Sequence, residues 1–117
     1  MPTISPAVNF VAVQTHRIPR VTWPGMATGD TIVALPVAGN SIVAGSVQFA
    51  GTFGSATVKL QVSNDGTTFF DMKDASGTTI SATAAGIFTF TTSALYIRPA
   101  IAGGTSDSVD AIVCLRV

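Results

Sequence analysis

Charged residues are scarce in this chain of 117 residues. They make up 10% of it, against roughly 25% of an average soluble domain. Six Lys and Arg balance six acidic residues, all of them aspartates, and glutamate is absent. Because binding to phosphates requires a surplus of basic residues, the zero net charge argues against a nucleic-acid partner. A neutral chain with a mean hydropathy of +0.52 also has little repulsion between copies, which favours an assembly.

Cysteines and long apolar segments are rare as well. The single cysteine, Cys114, cannot form an internal disulfide, so the fold has to be stable without one. The longest apolar stretches, such as residues 10–13 and 32–38, are far shorter than the 18 or so residues that a membrane-spanning helix requires. The first ten residues also lack the basic and apolar segments of a secretory signal. We therefore expect neither a membrane segment nor a signal peptide.

Residues that favour strands and turns are abundant instead. The chain contains 16 Thr, 13 Val, 16 Ala and 10 Ser, a composition that favours strands over helices. Polar and apolar residues alternate along several segments, as in 57–63, and short turn signals separate them. The sharpest turn is predicted at 64–66, where Asp-Gly suits a tight hairpin. Strands are predicted near 32–37, 41–50, 56–63, 68–73, 78–82, 87–92, 95–101 and 109–116. This pattern predicts an all-β fold, a single antiparallel β-sandwich (jelly-roll-like) over residues 31–117.

Residues 1–30 follow a different pattern, with prolines at positions 2, 6, 19 and 24. Proline cannot donate a hydrogen bond to a sheet, so it belongs at sheet edges or in extended arms. We predict an extended N-terminal arm over residues 1–30, with candidate strands at 8–14 and 20–23. Such an arm would wrap its own sandwich or reach a neighbouring subunit. Deleting residues 1–25 is expected to leave the sandwich folded.

The sequence offers little for catalysis. The one histidine, His16, lies in the proline-rich segment, and the G-x-S-x-G motif of many serine hydrolases is absent. Cys114 lies in an apolar strand, where a buried and unreactive thiol is expected. The Gly-rich turns are followed neither by a helix nor by the lysine of a phosphate-binding loop. We expect no enzyme activity and no cofactor.

Two groups of aspartates, at positions 65, 71 and 74 and at positions 107 and 110, raise the question of a metal site. Calcium is bound by several oxygen ligands, often in a loop rich in Asp and Gly. The first group lacks the D-x-[DN]-x-[DN]-G spacing of such a loop. The preferred interpretation is that these side chains accept hydrogen bonds from nearby backbone amides in turns, and no metal site is predicted.

Five residues are candidates for contact with a partner. Phe69 and Phe70 are adjacent on a predicted strand, so one side chain points inward and the other outward, where it could contact a partner. In the N-terminal segment, Arg17, Arg20 and Trp23 are candidate anchors, since Arg and Trp are among the residues that contribute most to interface affinity.

Two segments resemble a known family. Residues 58–80, VKLQVSNDGTTFFDMKDASGTTI, followed by 94–109, ALYIRPAIAGGTSDSV, resemble a pattern in small β-sandwich virion proteins of tailed bacteriophages. In that pattern a strand ending in S-N-D-G-T precedes an aromatic strand, a D-A-S-G-T turn and a Y-I-R-P strand. The resemblance covers about residues 45–117 and is closest to capsid decoration (cement) proteins.

This resemblance implies a structural protein on the outer surface of a capsid. Such proteins bridge subunits of the major capsid protein, typically as homotrimers at threefold positions. Two other functions remain open. The chain could be a head-fibre, tail or baseplate component, or it could be a carbohydrate-binding adhesion module in which Phe69 or Phe70 stacks on a sugar.

Overall fold

The computed structural model describes residues 2–13, 16–37 and 43–116, with the backbone alone for residues 10–13, 16–18, 43 and 116. These residues form twelve β-strands and no helix, which confirms the all-β prediction. The strands are β1 (Thr3–Ile4), β2 (Ala7–Val13), β3 (His16–Met26), β4 (Thr31–Ile32), β5 (Leu35–Pro36), β6 (Val43–Thr52), β7 (Thr57–Ser63), β8 (Phe70–Asp71), β9 (Ser81–Ala82), β10 (Gly86–Thr92), β11 (Tyr96–Ala102) and β12 (Ser108–Arg116).

Two antiparallel sheets contain most of these strands. The first has five strands in the order β10-β6-β12-β3-β2. The second has the order β5-β11-β7-β8, and β9 also pairs with β7. The short strands β1 and β4 form a separate parallel pair. The two larger sheets pack around one hydrophobic core, so the predicted antiparallel β-sandwich is confirmed.

The alternation seen in the sequence supplies this core. Val58 and Leu60 on β7 and Phe49 on β6 are fully buried between the sheets, as is Phe90 on β10. The ring centroids of Phe49 and Phe88 lie 6.0 Å apart. Burying one large apolar side chain contributes about 1.5–3 kcal/mol before entropy costs, so these side chains are the main source of stability.

The N-terminal segment belongs to this sandwich. β3 is an inner strand of the first sheet, between β12 and β2, and its side chains Val21, Trp23 and Met26 are buried in the core. The predicted division at residue 30 between an arm and a sandwich is therefore corrected. The prediction took the prolines as a sign of an extended arm, and the structure shows how one of them is accommodated inside a sheet.

A β-bulge accommodates Pro24. The pairing between β3 and β12 shifts so that Pro24 and Gly25 both lie opposite Asp110. Gly25 has a φ of 58°, and its N–H donates to Asp110 Oδ1 at 2.7 Å. A bulge interrupts the ladder of backbone hydrogen bonds, so a residue without an N–H is tolerated there.

Some predicted strands are shorter in the structure. The segments 68–73 and 78–82 contribute two-residue strands, because a turn at Asp74 lies between them. Asp74 Oδ1 accepts hydrogen bonds from the N–H groups of Ser76 and Thr78 at 2.9 and 3.0 Å. The predicted strand at 32–37 is divided into β4 and β5, and the first two residues of the strand predicted at 41–50 lie outside the described residues.

Candidate interaction surfaces

The S-N-D-G-T segment forms a hydrogen-bonded loop after β7. The hydroxyl of Ser63 accepts hydrogen bonds from the N–H groups of Asp65 and Gly66 at 3.2 and 3.0 Å. Asp65 Oδ1 accepts the N–H groups of Thr67 and Thr68, both at 2.9 Å. The N–H groups of Thr68 and Thr67, followed by the Ser63 hydroxyl, lower the pKa of Asp65 to about 2. Six residues separate β7 from β8, so this loop is wider than the predicted tight hairpin.

The Y-I-R-P segment begins beside this loop. The N–H of Leu95 donates to Asn64 Oδ1 at 3.2 Å, and Tyr96 pairs with Ser63 across β11 and β7. The Tyr96 ring would lie 3.4 Å from a Cβ added at Gly66. The two segments on which the family resemblance depends therefore meet at one end of the second sheet.

Polar side chains form a row across the second sheet. Lys59 Nζ donates to Asp71 Oδ2, and Gln61 Nε2 donates to Asp71 Oδ1, both at 3.0 Å. Arg98 donates to Gln61 Oε1 at 3.4 Å, and its guanidinium carbon lies 3.9 Å from the centroid of the Phe69 ring. The hydrogen bond from Gln61, and then that from Lys59, lowers the pKa of Asp71. Arg98 thus covers one face of Phe69, which limits the ring's availability to a partner.

Phe70 is the exposed member of the aromatic pair. It is 67% exposed and lies opposite Val62 across β8 and β7. With Val62, Thr68 and Ala94 it lines a shallow hollow of about 260 Å³. The next residue, Leu95, is also exposed. We call Val62, Phe70, Ala94 and Leu95 the Phe70 patch.

Arg20 and Trp23, two of the three N-terminal candidates, do not form one site. Arg20 is exposed and lies opposite Cys114 in the first sheet. Trp23 has no exposed surface, and its indole N–H donates to the carbonyl of Val33 at 2.7 Å. Trp23 is therefore a core residue, which corrects its selection as a candidate anchor for a partner. The side chain of Arg17 lies outside the described residues.

Strand β10 exposes residues that the sequence reasoning did not select. Ile87 is 65% exposed, and Thr89 and Thr91 on the same face are exposed as well. On the neighbouring β6, Ser46 and Gln48 lie opposite Thr89 and Ile87. The alternating run GIFTFTT contains no charge, and this was the available signal that its outward side could contact another chain.

All six carboxylates accept hydrogen bonds from the chain itself. Asp65 and Asp74 bind backbone amides of their own turns, as predicted, whereas Asp71, Asp107 and Asp110 accept from residues distant in sequence, which corrects the prediction for these three. The donors are Ala27 for Asp30, Thr67 and Thr68 for Asp65, Lys59 and Gln61 for Asp71, Ser76 and Thr78 for Asp74, Thr28 for Asp107, and Gly25 for Asp110. Within the described part of the chain, no three Asp, His or Cys residues are grouped so that they could hold a metal ion.

His16 and Cys114 are the two residues that the sequence raised for catalysis. The side chain of His16 lies outside the described residues. Cys114 is a free thiol and is half-buried rather than fully buried, because its neighbours Val113 and Leu115 are the residues of β12 that face the core.

Comparison with known protein families, with curated proteins and with solved structures finds no match to this chain. In residues 2–13, 16–37 and 43–116, no helix is long and apolar enough to span a membrane. The surfaces described above and the sequence resemblance are therefore the grounds on which a function can be assigned.

Proposed function

We propose that this protein is a structural component of a bacteriophage virion that decorates the outer surface of the capsid. In this role it bridges subunits of the major capsid protein, as a homotrimer at threefold positions. The main supporting observation is that the two segments resembling decoration proteins converge at one end of the second sheet, beside the exposed Phe70 patch. The chain has no catalytic role in this proposal.

The proposed mechanism is burial of apolar surface against the capsid. At about 25 cal/mol per Å², a few hundred Å² of apolar area contributes several kcal/mol to each contact, less the cost of ordering the partners. Three linked attachments raise the effective affinity above that of one contact. The low charge of the chain reduces the cost of removing charged groups from water at such contacts.

Phe70 and Arg20 are the proposed contact residues. Both are exposed, and aromatic and Arg side chains contribute disproportionately to interface affinity. Arg98 covers one face of Phe69, which leaves Phe70 as the exposed aromatic side chain of the pair.

A carbohydrate-binding module is the second candidate. The observation in its favour is that aromatic and polar side chains lie together beside β7. Arg98 covers one face of Phe69, however, and Gln61 and Asp71 are already hydrogen-bonded to each other. Phe70 would then be the main side chain available to stack on a sugar.

Co-sedimentation with expanded capsid shells of the phage that encodes the chain tests the proposal. The wild type should bind at a copy number near that of the capsid protein and raise the temperature at which the shells break. Phe70→Ala should bind about tenfold more weakly, equivalent to about 1.4 kcal/mol. The control Val33→Ala, which changes another exposed apolar side chain, should bind like the wild type.

Three other results would contradict capsid decoration. Failure of the wild type to bind shells would exclude it directly. A copy number in virions far below that of the capsid protein would favour a head-fibre, tail or baseplate component. Saturable binding to a glycan that Phe70→Ala abolishes, without binding to shells, would favour the adhesion module.

A further inference from the structure

The edges of the second sheet are protected against pairing with another strand. At one edge lies β5, two residues long and ending in Pro36. At the other edge lie β8 and β9, also two residues each, and β8 carries the charged Asp71. Very short edge strands, prolines and charges are the features with which proteins prevent edge-to-edge association.

The edges of the first sheet lack these features. β10 has seven residues, GIFTFTT, and β2 has seven residues, AVNFVAV. Neither strand contains a charged residue or a proline. The pairing of β10 with β6 runs without a shift from Gly86 to Thr92, so no bulge distorts this edge. Both strands are therefore suited to accept a further strand.

β10 is held in place while its outer edge stays free. Phe90 is buried and Phe88 is half-buried in the core, which fixes the strand on the sandwich. Among the described residues, β6 is the one strand that pairs with β10. Alternate N–H and C=O groups of β10 consequently point away from the sheet, along an edge where Ile87 is exposed.

We propose that β10 of one copy pairs with β2 of the next copy, so that the first sheet continues from subunit to subunit around a closed ring. Because every pairing in the first sheet is antiparallel, β10 and β2 run in the same direction. Side-by-side pairing in a ring requires the rotation axis to run roughly along the strands, so this contact is parallel. The edge pairing alone does not fix the number of copies. That the ring has three rests on the homotrimer of the proposed function.

A second copy of this chain fits these edges better than an unrelated partner. The two edges are equal in length and both uncharged, and one chain supplies both of them. Copies with zero net charge do not repel one another. Pairing of β10 with β10 about a twofold axis would leave the edge of β2 open, whereas the ring uses both edges.

Light scattering after size-exclusion chromatography gives the first test. The wild type should elute as three copies of 11.9 kDa, that is 35.7 kDa. Ile87→Lys with Thr89→Lys places charges along the edge and should shift the mass to 11.9 kDa. The control Phe70→Lys changes a side chain of nearly equal exposure on a protected edge and should stay at 35.7 kDa. A monomeric wild type at its highest soluble concentration, or Lys variants that remain trimeric, would overturn the proposal.

Cross-linking tests which strands meet and does not depend on how well the Lys variants fold. In a Cys114→Ser background, the exposed residues Thr89 and Asn9 are changed to cysteine, singly and together, and treated with a short bis-maleimide. The double variant should give covalent trimers, and each single variant should give none. Dimers from Thr89→Cys alone would show that β10 pairs with β10, which would overturn the ring.

The two proposals can fail separately. A cross-linked trimer that does not bind capsid shells would support the ring and contradict the capsid function. Shell binding by a protein whose double-cysteine variant gives no cross-links, in solution or on the shell, would support the capsid function and contradict the ring.

Discussion

The carboxylate of Asp107 accepts two hydrogen bonds from Thr28, one from its N–H at 3.1 Å and one from its hydroxyl at 2.7 Å. The same hydroxyl accepts the N–H of Gly104 at 2.9 Å. The Thr28 hydroxyl is the main cause of the lowered pKa of Asp107. These bonds join the loop after β3 to the turn between β11 and β12, across 79 positions of sequence.

Thr28→Val should lower the melting temperature by about 3–6 °C. Valine has nearly the same shape and keeps the backbone N–H that donates to Asp107, but its side chain neither donates to Asp107 nor accepts from Gly104. Thr28→Ser keeps the hydroxyl, so its melting temperature should fall much less than that of Thr28→Val. Circular dichroism during heating gives the melting temperature of each variant. Equal decreases for Thr28→Val and Thr28→Ser would show that the hydroxyl does not contribute to stability.

Trp23→Phe should destabilise the protein by about 1–3 kcal/mol, because the carbonyl of Val33 loses its indole donor and a small cavity remains. Trp23→Ala should cost about 3–5 kcal/mol. Urea unfolding followed by circular dichroism gives both values. Trp23 is the one tryptophan of the chain, so the wild-type emission should be that of a buried indole and shift to the red on unfolding. A solvent-exposed emission in the native protein would contradict the burial.

Gly66→Ala should cost about 1 kcal/mol, because Gly66 has a φ of 75°, which disfavours any residue with a Cβ. The control is Gly86→Ala, where φ lies outside the left-handed region and an added Cβ would make an ordinary contact, 3.9 Å from Phe88. Chemical unfolding of the two variants tests the difference. Equal stabilities would mean that the loop after β7 adopts another backbone conformation.

Stability should fall as the pH decreases from about 5 to 2. Asp65 has a folded pKa of about 2, below its ordinary value of 3.8, so its contribution is complete above the ordinary value and disappears as the pH falls through the folded one. The lowered pKa values of Asp71 and Asp107 act in the same direction. Asp65→Asn keeps an acceptor oxygen but does not titrate. Its melting temperature should be lower than that of the wild type at pH 7 and should change less between pH 5 and pH 2. Parallel pH profiles for the two proteins would exclude Asp65 as a contributor.

Deletion of residues 1–25 should prevent folding, because it removes β2 and nearly all of β3, including the core side chains Val21 and Trp23. Deletion of residues 1–6 removes only β1 of the described strands and should leave a folded protein of reduced stability. Dispersion of the amide signals in NMR spectra distinguishes a folded fragment from an unfolded one. A folded 26–117 fragment would show that the first sheet does not need its N-terminal strands.

Local sequence predicted the strands where alternation was regular. Segments 56–63, 87–92, 95–101 and 109–116 all correspond closely to observed strands. The aspartate turns were predictable because they too depend on residues close in sequence: Asp65 and Asp74 bind amides only two to four residues away. Segments 8–14 and 20–23 were also recognised as candidate strands, but their place in the fold was not.

The sequence by itself thus determined the all-β class, most strand positions and the chemistry of the turns, because these depend on neighbours within a few residues. Only the tertiary structure decided that β3 lies inside the first sheet, that Trp23 is buried while Phe70 is exposed, and that β10 and β2 are the long outer strands of that sheet as far as the chain is described. Those properties depend on which distant strands pair. Residues as far apart as Thr28 and Asp107 meet only when the whole sandwich is formed.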